Sequence, residues 1–87
     1  MKLYLSEEYG IDPASVICIL DMDSATEATA TREFLKKKEK DGMLTPVTAE
    51  IPVSFIVSEE MGRVKVLLTR NAPKVIARRA KRAYPVE

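Results

Sequence analysis

The sequence predicts an α+β fold, in which a small, mostly antiparallel sheet carries two helices in the order β-β-α-β-β-α. Three observations support this prediction. Val16 to Leu20 is an unbroken aliphatic run, Ile51 to Val57 alternates apolar and polar residues, and a second alternating segment follows Gly62. With 87 residues, the chain has the length of one domain, which we expect to span residues 1–87.

Two strands are predicted near the beginning of the chain. Leu3 and Leu5 alternate with more polar neighbours, which predicts a short strand over Lys2–Leu5. Turn residues follow, and then comes the aliphatic run Val16–Leu20. The length and composition of this run predict a central strand that is covered on both faces.

The first helix is predicted to begin near residue 24. Ser24 followed by Glu27 fits a capping box, and Thr29 and Thr31 are alternative caps, so the start stays open over several residues. The next segment, TREFLKKKEK, has strongly helical composition, with lysines in the last turns, where they complement the helix dipole. Gly42 is placed to end the helix in a left-handed conformation.

An antiparallel hairpin is predicted for the segment 51–69. Alternation gives each strand one apolar side, formed by Ile51, Val53, Phe55 and Val57 on the first strand and by Val64, Val66 and Leu68 on the second. Glu59–Gly62 supplies the turn. Pro52 has no backbone N–H to donate, so it predicts an edge position or the first residues of a strand.

Two aliphatic residues of the hairpin, Ile56 and Leu67, fall on the opposite side of the predicted strands. Their presence there requires a cover, which is either the C-terminal helix or another subunit. A domain of this size has few elements with which to cover both faces of a sheet. We therefore predict that Ile56 and Leu67 belong to a homo-oligomer interface.

A C-terminal helix is predicted from about Ala72 to Ala83, with Asn71 as its N-cap, and Pro85 prevents much continuation. The run Arg70–Arg82 that includes this helix contains six cations and no acid. On a helix, Lys74, Arg78, Lys81 and Arg82 share one face, and the apolar stripe Val75, Ile76 and Ala80 lies opposite.

The distribution of charge supports an anionic partner for the C-terminal part of the chain. Residues 1–30 carry one Lys and six acids, whereas residues 31–87 carry thirteen basic residues and seven acids. Cations on one helix face can lie along phosphates and release counterions. The alternatives are a solvated amphipathic helix and a helix that docks on the acidic part of a neighbouring subunit. The predicted nucleic-acid-binding residues are Arg70, Lys74, Arg78, Lys81 and Arg82, with Arg63 and Lys65 in support.

The composition argues against catalysis and against a metal or cofactor. The chain has one cysteine, Cys18, and no histidine, so it has neither a Ser-His or Cys-His pair nor a four-ligand zinc set. Asp21 and Asp23 are better explained as strand-ending and helix-capping residues than as Mg²⁺ ligands. We expect no enzyme activity, no small-molecule substrate and no cofactor. Because no apolar run reaches membrane-spanning length, we also expect a cytoplasmic location.

Three segments resemble a known family. The strand and its end VICILDMD, the helix segment that begins at Thr31 (TREFLK), and the strand IPVSFIVSE are similar to the bacterial extracellular-matrix and biofilm regulators, the RemA/RemB proteins, and most similar to the RemB-like branch. The similarity runs from Leu3 to about Arg82. It implies a small cytoplasmic protein that binds DNA as an oligomer and regulates the transcription of matrix genes. The chain differs from the family at Glu50 and Ser15, where arginines are expected, and after Leu68, where TRNAPKVIARRAKR replaces a serine-rich turn.

These observations lead to two hypotheses. The first is an oligomeric, DNA-associated regulator that binds phosphates through the basic helix. The second is a protein-interaction or scaffold module of the same fold that oligomerises without binding DNA, in which the helix docks on an acidic surface such as Glu7, Glu8, Asp21 and Asp23.

Overall fold

The computed structural model describes residues 2–6 and 9–83, and of Arg82 and Ala83 it describes the backbone only. The strands are β1 (Leu3–Tyr4), β2 (Gly10–Ile11), β3 (Val16–Asp21), β4 (Leu44–Pro46), β5 (Ser54–Glu60) and β6 (Arg63–Thr69). The helices are α1 (Met22–Ala25), α2 (Thr29–Lys40) and α3 (Pro73–Ala83), and a 3-10 turn covers Pro13–Ser15. The predicted α+β class is confirmed, and three short elements (β2, α1 and β4) are added to the predicted order.

The main sheet has four strands in the order β3-β5-β6-β4. The pairs β3–β5 and β5–β6 are antiparallel, whereas β4 runs parallel to β6. A separate antiparallel pair joins β1 to β2, with Leu3 opposite Ile11. The expectation of a mostly antiparallel sheet is therefore confirmed, with one parallel edge that the sequence pattern did not indicate.

The prediction that Val16–Leu20 is a central strand is wrong, because β3 lies at an edge of the sheet. A bulge interrupts its pairing with β5 between Val16 and Cys18, and the side chain of Ile17 is 57% exposed. A continuous aliphatic run indicates that both faces of a strand are covered, but it carries no information about which neighbours pair with its two edges. The central strands are β5 and β6, which form the predicted hairpin.

The hairpin ends in a two-residue turn, Met61-Gly62, between the paired residues Glu60 and Arg63. Met61 has a φ of 52° and Gly62 a φ of 78°, the two positive values that a type I′ turn requires. The turn is therefore shorter than the predicted Glu59–Gly62. β5 also begins later than predicted, at Ser54, so that Ile51 is 80% exposed and Pro52 precedes the strand.

Both faces of the main sheet are covered by elements of the same chain. On one face, Phe55, Val57 and Val66 form a buried cluster against which Phe34 and Leu35 of α2 pack. The other face carries Ile56 and Leu67, which contact residues of α3 and of the β1–β2 pair in a second cluster. The sheet is thus the middle of three layers.

The helical region between β3 and β4 begins differently from the prediction. Asp21 is the N-cap of α1, because its Oδ2 accepts from the backbone N–H of Ser24 at 3.0 Å. Ser24 lies inside this one-turn helix, so the predicted Ser24–Glu27 capping box is wrong. The N-cap of α2 is Ala28, which makes no side-chain capping bond. The predicted end is confirmed, since Gly42 has a φ of 74° just after α2.

Candidate nucleic-acid interface

The helix α3 begins two residues after the expected cap. The carbonyl of Ala72 accepts from Val75 N–H at 3.0 Å and from Ile76 N–H at 3.2 Å, so Ala72 is in the capping position. The side chain of Asn71 donates instead to the carbonyl of Leu5 at 2.9 Å. The prediction that Asn71 is the N-cap is therefore wrong, and this residue joins the start of α3 to the N-terminal segment.

One side of α3 is anchored on the sheet. Ile76 is fully buried in the cluster that contains Leu3, Leu5, Ile11, Ile56 and Leu67, and Ala80 is partly buried against the same cluster. Arg79 borders this side, and its Nη1 lies 3.3 Å from the carbonyl oxygen of Tyr4. The predicted apolar stripe of α3 is confirmed at Ile76 and Ala80, whereas Val75 is partly buried and belongs to neither cluster. The burial of Ile76 determines which side of the helix faces solvent.

Three predicted cations lie on the solvent side of α3. Lys74, Arg78 and Lys81 are exposed and follow one another at positions i, i+4 and i+7. No described acidic side chain forms an ion pair with any of them. We call these three residues the helix cation face. Arg82 belongs to α3, but its side chain lies outside the described residues.

Arg70 stands apart from the helix cation face. Its Nε lies 3.1 Å from Oε2 of Glu50, and its Nη1 donates to the carbonyl of Ile51 at 3.1 Å. Both members of the ion pair are more than half exposed, so the pair contributes about 0–1 kcal/mol to folding. The pair nevertheless places a compensating negative charge beside Arg70 before any ligand binds.

Arg63 and Lys65 lie at the start of β6, beside acidic residues of the hairpin. Arg63 is opposite Glu60 in the strand register, and Glu59, the preceding residue of β5, is opposite Val64. Lys65 lines a shallow cleft whose wall also contains Asp12 and both of these glutamates. The surroundings of the two predicted supporting cations therefore have mixed sign, in contrast to α3.

The prediction that Ile56 and Leu67 form an oligomer interface is corrected. Both side chains have no accessible surface, because α3 and the β1–β2 pair cover them. Of the two covers that the sequence left open, the structure contains the C-terminal helix. Since a fully buried side chain offers no surface to a second subunit, neither residue is available as a contact.

Asp21 and Cys18 have structural roles in the described part of the chain, whereas Asp23 lies exposed in the first turn of α1 and is not its cap. Asp21 caps α1, as its sequence position predicts. Cys18 is partly buried in the cluster on the α2 face of the sheet. Within residues 2–6 and 9–83, no group of three or more His, Cys, Asp or Glu side chains is placed to hold a metal ion. Glu7 and Glu8, named above as acidic docking residues, lie outside the described residues.

Ser15 and Glu50, the positions at which the resemblance to the RemA/RemB family implies arginines, have defined local contacts. Ser15 is buried, and its hydroxyl donates to the carbonyl of Asp12 at 2.6 Å inside the 3-10 turn. Glu50 forms the ion pair with Arg70. Sequence reasoning missed that pair, since its members lie 20 residues apart with no periodicity to connect them.

No family model and no curated protein matches the chain. The resemblance to the RemA/RemB family therefore stays a prediction that depends on the three segments quoted above. Among the helices of the described residues, none has the length and apolar character needed to cross a membrane.

Proposed function

We propose that the chain is a DNA-associated regulatory protein that binds the phosphate backbone through the helix cation face. The observation that carries the proposal is the exposure of Lys74, Arg78 and Lys81 on one side of α3, without an ion-pair partner among the described residues. Cations that already have a carboxylate partner must lose it before they bind phosphate, whereas these three need not. The proposed role is non-catalytic.

The dimensions of the face suit a phosphate backbone. Seven helical positions separate Lys74 from Lys81, which corresponds to about 10 Å along the helix axis. In B-DNA, one strand advances about 3.4 Å per phosphate along the duplex axis, so a face of this length reaches about three phosphates. No asparagine, glutamine, aspartate or glutamate lies between Pro73 and Ala83, so the helix lacks the side chains that pair with adenine and cytosine edges, and we assign its cations to phosphates. We therefore expect recognition through DNA shape and repeated subunits.

The resemblance to the RemA/RemB family supports the more specific part of the proposal. It implies an oligomeric regulator of extracellular-matrix or biofilm genes in the bacterial cytoplasm. Because Glu50 and Ser15 replace arginines expected in that family, the proposed contact is on α3 and not at those positions. The alternative is a scaffold of the same fold in which α3 binds an acidic protein surface.

The salt dependence of binding tests the proposal. Fluorescence anisotropy with a mixed-sequence duplex should give a log Kd that rises with log salt with a slope of about 2.7 per bound subunit, from three phosphate contacts at about 0.9 each. The double substitution Arg78→Ala and Lys81→Ala should lower this slope to about 0.9, because two contacts are lost.

A matched control distinguishes DNA binding by the helix cation face from a general attraction between DNA and any basic surface. Lys36 and Lys37 are exposed on α2, where acidic residues lie nearby in the sequence, so the substitutions Lys36→Ala and Lys37→Ala remove the same charge from another surface. We expect this variant to retain most of the salt slope of the parent. An equal decrease of the salt slope in the two double variants would contradict the proposal. The absence of DNA binding at low salt would also contradict it and would favour the scaffold.

A further inference from the structure

The outer edge of β3 is an open strand edge in the described part of the chain. β3 pairs with β5 on one side, and no described strand pairs with its other side. All six residues of Val16–Asp21 keep accessible surface, whereas the first five residues of β5 are buried. An edge of this kind presents free backbone N–H and C=O groups that can accept another strand.

The direction of these groups follows from the register. Met22 N–H donates to the carbonyl of Val53 at 2.9 Å, and this pair continues the β3–β5 register. Because hydrogen-bonded and non-hydrogen-bonded pairs alternate in an antiparallel ladder, Leu20 and Cys18 direct their backbone groups towards β5. Ile19 and Asp21 direct theirs outwards, to the open edge.

The open edge lacks the features that usually prevent strand addition. It contains no proline, lysine or arginine, and its first charged residue is Asp21 at the end. The bulge between Val16 and Cys18 interrupts the pairing with β5 at the beginning of the strand and leaves Cys18–Asp21 in regular register. At the other edge of the sheet, β4 has three residues and ends in Pro46, so that edge is poorly suited to pairing.

The side chains beside the open edge are apolar. A shallow cleft between β3 and α2 is lined by Cys18, Leu20 and Phe34, together with Phe55 and Val57 of β5. A strand added to β3 would place its own side chains next to this cleft. Apolar partner residues are therefore favoured at the positions that flank Cys18 and Leu20.

We propose that two copies of this chain associate through antiparallel pairing of their β3 strands about a two-fold axis at Ile19. In this register, the outward N–H and C=O of Ile19 bond reciprocally with those of Ile19 in the second copy. Cys18 of each copy then faces Leu20 of the other. The two sheets join into one of eight strands.

Two antiparallel copies of β3 can pair without placing like charges opposite each other. The pairing opposes uncharged residues at its centre and places the two Asp21 carboxylates at opposite ends, four residue positions or about 13 Å apart along the strands. Each Asp21 faces the uncharged Ile17 of the other copy. Because this pairing opposes no like charges, we propose a second copy of the chain as the partner that pairs with the open edge of β3.

The pairing has a consequence for the helix cation face, although the dimer rests on the edge strand and not on the proposed DNA binding. The two-fold axis is perpendicular to the sheet, so both copies of α3 lie on the same face of the joined sheet. The two cation faces would then bind one duplex together, which raises the effective concentration of the second contact.

Sedimentation equilibrium without nucleic acid tests the dimer directly. A single strand pair is a small interface, so we expect weak association, with the mass approaching twice that of the monomer between about 5 and 500 µM protein. A monomer throughout this range would overturn the proposal, and it would do so independently of any result with DNA.

Charge variants at Ile17 test the position and the register. Ile17→Glu places a carboxylate opposite Asp21 of the second copy and should weaken dimerisation by about tenfold, whereas Ile17→Lys should remain within about threefold of the parent. Ile51→Glu is the control, because Ile51 is 80% exposed and belongs to no strand of the sheet. Circular dichroism checks that each variant folds. Equal effects of the Glu and Lys substitutions would exclude this register.

Disulfide formation gives a second, independent readout. Leu20→Cys places a thiol opposite Cys18 of the second copy in a non-hydrogen-bonded pair, where Cα atoms are close enough for a disulfide. Mild oxidation should convert this variant to a covalent dimer on a non-reducing gel. The parent should remain monomeric on that gel, and so should Ile51→Cys. Failure of Leu20→Cys to crosslink under conditions in which sedimentation shows a dimer would also exclude this register.

Discussion

Arg70 differs from the cations of the helix cation face in having a carboxylate within reach. The exposed pair with Glu50 adds little to the stability of the fold, because water and ions screen it. Its effect is instead on the charge that a ligand meets. A phosphate that approaches Arg70 must compete with Glu50, whereas one that approaches Lys74 or Arg78 meets no described ion-pair partner.

We therefore predict that Glu50→Ala strengthens DNA binding while changing stability by less than about 1 kcal/mol. The freed guanidinium of Arg70 adds up to one phosphate contact, so the salt slope should rise by up to about 0.9 per subunit. Anisotropy titrations over a salt series measure the slope, and urea unfolding measures the stability.

The control for this prediction is Glu33→Ala, which removes the same charge from an exposed position on α2. A change in net charge alone would raise the affinity of both variants equally. The expected result is a larger increase for Glu50→Ala, and equal increases would contradict the role assigned to the Arg70 pair.

At the scale of elements, the β5–β6 hairpin is the best-defined unit of the sheet. Seven residue pairs join its strands without a register shift, and the turn requires positive φ at both central residues. Gly62 meets this requirement easily, but Met61 does not, because its Cβ is strained at a φ of 52°. The side chain of Met61 is fully exposed, so packing offers no compensation.

Met61→Asn is therefore predicted to stabilise the protein by about 0.5–1 kcal/mol, since Asn-Gly is the preferred pair in a type I′ turn. Met61→Val should have the opposite effect, because a branched side chain tolerates positive φ poorly. The midpoints of urea unfolding provide the measurement. Equal midpoints for the two variants would show that the turn does not limit stability.

At the scale of the whole molecule, the two faces of the sheet are covered to different extents. α2 has no fully buried residue in its length, whereas α3 inserts Ile76 into a cluster built from the N-terminal strands and the hairpin. The basic helix is therefore fixed to the sheet by an apolar anchor. Its solvent side keeps one orientation for the same reason.

Removing this anchor should cost stability. We predict that Ile76→Ala lowers the free energy of unfolding by about 2–5 kcal/mol, because a fully buried side chain leaves a cavity shared by three elements. Val75→Ala is the comparison, since Val75 is only partly buried and should lose less. Urea unfolding followed by circular dichroism measures both, and similar losses would contradict an anchor at Ile76.

Sequence alone determined the fold class, the hairpin with its alternating faces, the presence of the two main helices and the end of α2 before Gly42. These features depend on local patterns, namely the two-residue period of strands and the turn and breaker residues Gly42 and Gly62. The helix cation face was also predictable, because spacing on a helix depends only on its 3.6-residue period.

Only the tertiary structure decided which strand lies at the edge and what covers Ile56 and Leu67. Both depend on contacts between distant segments, and an aliphatic run has the same pattern whether its neighbour belongs to the same chain or to another. The fold brings α3 and the N-terminal strands over Ile56 and Leu67, so the expected interface there is removed. It leaves β3 with one paired side among the described residues, which is why the proposed self-association moves to that edge.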